Sequence, residues 1–179
     1  MDWGQVFHDY VGPISALVGW IGNSLWQYVR KNYFGKLQFF FYNVRLGLSS
    51  YDSITKAKMG VETMDEAEEG ELTFYVDIYN SKEIPIGLRN VKLIIGNNGL
   101  EHQLKGKGES FTTLQNMYVL NIQPNQFLKY ILQTQLKKEQ LNQIFKENVK
   151  IYFTATKQDG KKITEEVYIN ELREKYKNV

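Results

Sequence analysis

Between Glu71 and Asn80 the chain alternates strictly: Leu72, Phe74, Val76 and Ile78 are apolar, and Thr73, Tyr75, Asp77 and Tyr79 stand between them. A period of two marks a strand with one face on a core. Val149, Ile151, Phe153 and Ala155 repeat the pattern. A turn at Gln158-Asp159-Gly160 follows, then Val167 and Ile169, so this stretch reads as a hairpin. Residues 36–50, "KLQFFFYNVRLGLSS", are long, aromatic and apolar on both faces. Here Phe39 and Phe41 are expected on one side of a first strand, with Phe40, Tyr42 and Val44 on the other.

Further strands are expected over "RNVKLIIG", "NMYVLNIQ" and "FLKYILQTQL", with short edge strands around a flexible "GKG" at residues 106–108. The stretch "NSKEIPIGL" is expected to turn, with Asn80 and Ser81 as turn formers and Pro85 excluding a central strand there. Leu141, Ile144 and Phe145, spaced i, i+3, i+4, predict one short helix. The C-terminal "NELREKYKNV" reads as a charged tail, helical or frayed. Roughly seven short strands separated by turn signals imply a mainly β fold, an antiparallel immunoglobulin-like sandwich over residues 34–170. No Cys-Trp-Cys signature accompanies it.

The N-terminal 33 residues follow a different pattern. Residues 10–29 carry no charge, and Arg30, Lys31 and Lys36 follow. Twenty residues of helix reach about 30 Å, the thickness of the bilayer hydrocarbon. The segment is read as a single-pass transmembrane helix. The basic flank then puts the N-terminus outside and the sandwich in the cytoplasm. The order of charges does not fit a cleaved signal peptide. Gly12, Ser15, Ala16, Gly19, Gly22 and Asn23 gather on one helical side, which suits close helix–helix packing in lipid. The same segment could instead lie in the membrane interface, or pack against protein. An interfacial helix should carry more Lys and Arg on its polar face.

Composition narrows the chemistry. The 179 residues include no cysteine, which excludes disulfides, thiolate catalysis and cysteine-ligated metals. This is compatible with a bacterial or phage cytosol. A net charge of +2 gives no reason to expect nucleic acid. The two histidines, His8 and His102, sit in no catalytic or metal-binding motif and are expected on the solvated surface. The acidic run Asp65, Glu66, Glu68, Glu69 and Glu71 lacks the spacing of an EF-hand loop and reads as a solvated loop. "KGKGES" lacks the spacing of a phosphate loop. No cofactor and no metal are expected.

Tyr75, Tyr79, Tyr118 and Tyr130 are candidates for an exposed partner surface, because tyrosine joins an apolar ring to a polar tip. The expected function is therefore a membrane-anchored, non-enzymatic interaction or sensor protein. Its cytoplasmic sandwich would bind a protein or small ligand, with self-association or a partner helix at the membrane. An oligomerising membrane-active effector of the defence or toxin type is one alternative. A soluble subunit of a larger assembly, such as a phage structural protein, is another.

Overall fold

The computed structural model describes residues 17–30, 35–96, 99–108, 113–146 and 148–177. Two antiparallel sheets pack face to face. Strands are β1 (Leu37–Tyr51), β2 (Lys58–Val61), β3 (Glu69–Asn80), β4 (Ile86–Ile95), β5 (Leu100–Gln103), β6 (Lys105–Gly108), β7 (Gln115–Asn116), β8 (Val119–Ile122), β9 (Phe127–Lys137), β10 (Ile151–Lys157) and β11 (Lys162–Val167). The larger sheet has the order β2-β1-β3-β9-β6-β7. The smaller has the order β11-β10-β4-β5, with β8 also paired to β4. Helices are α1 (residues 17–30), α2 (Lys138–Ile144) and α3 (Asn170–Lys177).

The alternation of β3 decides the core. Leu72, Phe74, Val76 and Ile78 are fully buried, facing Leu88, Leu93 and Ile95 of β4 and Phe153 of β10. Phe39 and Phe41 reach in from β1, with ring centroids 5.3 and 5.6 Å from Phe153. Offset and tilted ring pairs of this kind add to the burial itself. Leu141 and Ile144 of α2 close one end of the core. Gly70 makes room for them: a Cβ there would lie 2.4 Å from a Leu141 methyl.

The expected alternation of β1 holds through Tyr42 and then breaks. Tyr42 pairs with Tyr75 but Arg45 pairs with Thr73, so one extra residue is inserted. Asn43 carries it at φ +54°, a left-handed conformation that asparagine tolerates. The bulge turns Val44 inward, against the core, rather than outward with Phe40 and Tyr42. Asn90, also at φ +54°, stands where the β4–β10 register shifts in the same way.

The expected transmembrane helix is not supported. No helix among the described residues is long and apolar enough to cross a membrane. The described helix is about 21 Å long at 1.5 Å per residue. It is interrupted by Gly19, Gly22, Asn23, Ser24 and Gln27 and ends in Arg30. The orientation expected from the basic flank depended on that span. Gly12, Ser15 and Ala16 lie outside the described residues. What is described is a helix with its apolar side chains in the open: Leu17, Val18, Ile21, Leu25 and Tyr28 are each more than half exposed. Arg30 pairs with Glu83 in the turn after β3 at 2.7 Å, which ties the end of α1 to one end of the sandwich.

The C-terminal residues fold as α3 and pack on the sandwich. Leu172 is buried, and the Tyr176 hydroxyl donates to the Leu46 carbonyl at 3.0 Å. Arg173 donates to the carbonyl oxygens of Ile144 and Val149, which fastens α3 to the end of α2.

Candidate functional site

The outward positions of β1, β3 and β9 set the surface of the larger sheet. Residues paired across strands point to the same side. The register Tyr42–Tyr75–Ile131 and Gln38–Tyr79–Phe127 therefore lays two rows across the outer face. Tyr42 and Tyr75 stack with centroids 5.5 Å apart, and Tyr79 lies 6.2 Å from Phe127. Phe40, Tyr42 and Phe127 are well exposed. The Tyr42 hydroxyl donates to Asp77 Oδ1 at 3.0 Å, which orients the ring at the surface. Lys107 and Lys129 border a shallow depression beside Tyr42 and Tyr75.

This arrangement divides the expected partner surface. Tyr75 and Tyr79 share the outer face. Tyr130 does not: it pairs with Val76, turns toward the core, and its hydroxyl titrates above the ordinary tyrosine range because it is buried. Tyr118 is exposed but stands between β7 and β8, next to β4 of the smaller sheet, where its carbonyl accepts from Asn90 N–H. Sequence reasoning missed Phe40, Tyr42 and Phe127. The signal was the register: once β1 flanks β3, the aromatic residues at the even positions 40 and 42 fall beside Asp77 and Tyr75.

On α1, Gly19 and Gly22 have open space around them, and a Cβ at either would meet nothing within 4 Å. Asn23 beside them is exposed. Among the described residues, no segment packs on this half of the small-residue face.

The remaining candidates lose their chemical readings. His102 is not solvated. It pairs with Leu93 and is buried, and its Nε2 has no hydrogen-bond partner among the described residues. Burial holds its pKa below the usual histidine range. His8 lies outside the described residues. Gly106 and Gly108, expected in a flexible link between edge strands, lie in β6, paired to β9. A Cβ on Gly106 would fall 2.3 Å from Met117 Sδ, so the glycine serves packing. The acidic run divides between a loop and β3. Lys138 Nζ donates to the Met64 and Asp65 carbonyls at 2.6 and 2.9 Å. Glu69 accepts from the Tyr51 hydroxyl at 2.8 Å and from Lys58 at 3.3 Å. Both bonds favour the carboxylate, Tyr51 more strongly, and lower its pKa. No group of three or more metal-ligating side chains converges among the described residues.

The largest cavity described, about 550 Å³, lies between α2, α3 and the loop carrying Met64. Phe145, Arg173 and Tyr176 line it, and Arg173 is already committed to main-chain carbonyls. It brings together no nucleophile and base.

A face-to-face pair of antiparallel sheets of this kind is the architecture of an Ig-like module. The chain belongs to the YopI Ig-like domain family, whose profile matches residues 35–168. No curated protein matches the chain. Three solved structures are distantly similar. A FixG-related protein from Vibrio parahaemolyticus is 12% identical, with 73% of this chain and 92% of that chain covered and a TM-score of 0.41. An uncharacterized beta-sandwich protein from Clostridium difficile 630 is 14% identical, with 74% and 86% covered and a TM-score of 0.38. A protein from Archaeoglobus fulgidus is 11% identical, with 72% and 94% covered and a TM-score of 0.37.

Proposed function

We propose that the protein is a non-enzymatic interaction protein whose N-terminal apolar segment holds the Ig-like domain at a membrane. The outer face of the larger sheet then receives a protein partner. The observation that carries this reading is the exposure of Leu17, Val18, Ile21, Leu25 and Tyr28 along α1. Five large apolar side chains in water are unfavourable, and lipid relieves them at about 25 cal/mol per Å² removed from water. Trp20 and Trp26 are exposed on the flanks of the stripe, where aromatic side chains suit the lipid–water boundary. Arg30 and Lys31 follow at the end nearest the domain, where headgroup phosphates would meet them.

Flotation with vesicles tests the reading. The full chain should float with neutral phosphatidylcholine vesicles and more completely when anionic lipid is added. Leu25→Glu, on the centre of the stripe, should leave the sandwich folded and abolish flotation. A full chain that stays at the bottom of the gradient with both vesicle types contradicts the membrane reading. α1 would then be a helix that docks on protein, consistent with the open space around Gly19 and Gly22.

A further inference from the structure

The larger sheet has an edge that the described residues leave half open. β2 pairs with β1 only from Leu48 to Tyr51. α3 reaches β1 at Leu46 through Tyr176. The bulge at Asn43, closed by Arg45 Nε donating to Asn43 Oδ1 at 3.0 Å, interrupts the edge on the N-terminal side of both. From Leu37 to Tyr42 no strand among the described residues pairs with the side of β1 away from β3.

The direction of the main-chain groups follows from the register. Asn80 N–H donates to the Gln126 carbonyl, on the β9 side of β3. In an antiparallel ladder successive residues bond to opposite neighbours. Asn80 therefore does not bond to Leu37, its partner in β1, and Tyr79 bonds to Gln38. Lys36 fits the same phase, since its carbonyl accepts from Ser81 N–H at 3.1 Å. Gln38, Phe40 and Tyr42 thus bond to β3, while the N–H and C=O groups of Leu37, Phe39 and Phe41 point to the open side.

Exposed strand edges are ordinarily blunted by lysine, proline, a bulge or a covering segment. The stretch Leu37–Tyr42, "LQFFFY", has no charge, no proline and no bulge until Asn43. It is mostly apolar and six residues long, which is long enough for a ladder. We propose that this edge pairs antiparallel with the same edge of a second copy, joining the two larger sheets into one continuous sheet. The edge is self-complementary. With a twofold axis through Phe39, Leu37 lies opposite Phe41 of the second copy, and Phe39 lies opposite its own counterpart. All the outward donors and acceptors are then satisfied, as an isologous contact requires. Neither copy brings a charge to the seam. This contact is separate from any association through α1.

Hydrogen–deuterium exchange on the full chain, kept in detergent micelles that cover α1, reads the edge directly. Across a dilution series the amides of Leu37, Phe39 and Phe41 should pass from protected to open, together with a dimer-to-monomer transition in light scattering. Phe40→Lys places two ammonium groups diagonally across the axis on the outer face and should weaken the dimer at least about tenfold. Leu37→Pro removes one open donor without touching the β3 ladder and should act in the same direction. Three results each overturn the proposal. One is a monomer at every concentration. Another is an oligomer in which these amides exchange freely. The third is protection that dilution does not change, since the cover would then come from the same chain.

Discussion

At the scale of single residues, Asn80 shows most clearly what local pattern hides. The sequence marks it as a turn former, and it does end β3. It is also fully buried, and its side-chain amide donates to the carbonyls of Ile84, Ile122 and Gln123 at 2.9, 3.2 and 3.2 Å. Its Oδ1 accepts from Lys82 N–H at 3.0 Å. One side chain thus ties the β3–β4 turn to the end of β8. Asn80→Ala leaves those groups without a partner in the interior. It should cost about 2 to 3 kcal/mol, measured by urea unfolding. His102 carries the second prediction. Its folded-state pKa is lowered by burial below the ordinary 6.5. The unfolded state therefore binds the proton more readily, and the stability this group contributes is present above pH 6.5 and lost as pH falls through the folded-state value. Unfolding free energy should decline from about pH 6.5 downward, and His102→Phe should flatten that part of the curve. An unchanged slope would show that other groups set the acid sensitivity.

At the scale of elements, the alternating strands were legible because one face is buried and a shift of one residue would expose it. β3 and the β10–β11 hairpin keep the expected phase, and β9 forms where a strand was expected, though with Tyr130 turned inward. β1 did so only to Tyr42, because a bulge at an asparagine leaves no trace in a hydrophobic pattern. β6 was hidden for the opposite reason: "KGKG" has no apolar alternation, yet Gly106 lets Met117 and Leu132 come close. The short helix was legible from its spacing, but not its seat. That seat depends on Gly70, where a methyl would overlap Leu141. Gly70→Ala should push α2 outward and lower stability by about 1 to 3 kcal/mol, with the loss seen in thermal unfolding by circular dichroism. The aromatic outer face was half legible. Tyr75 and Tyr79 follow from the period of β3, whereas Tyr42, Phe40 and Phe127 join them only through strand order, which a single strand does not encode.

At the scale of the whole molecule, the two parts place their apolar side chains differently. The sandwich hides its large apolar residues between sheets, with Phe74, Phe153, Leu72 and Ile78 fully buried. α1 presents Leu17, Ile21 and Leu25 to solvent and meets the sandwich through the Arg30–Glu83 ion pair at its end. An exposed pair of this kind contributes little, roughly 0 to 1 kcal/mol. Glu83→Ala should therefore change unfolding of the sandwich by less than about 0.5 kcal/mol. The uncharged N-terminal run was plain in the sequence. Whether its helix is apolar enough to span was not, because glycine, asparagine and glutamine count as uncharged without being hydrophobic.

The most direct test of the central claim is fractionation of two chains, the full protein and one lacking residues 1–33, each expressed in cells. Membranes would be pelleted from each lysate and then extracted with detergent. The account predicts that the full protein pellets with membranes and is released by detergent, while the shortened chain is soluble and folded. A full protein that remains in the soluble fraction without detergent would contradict it.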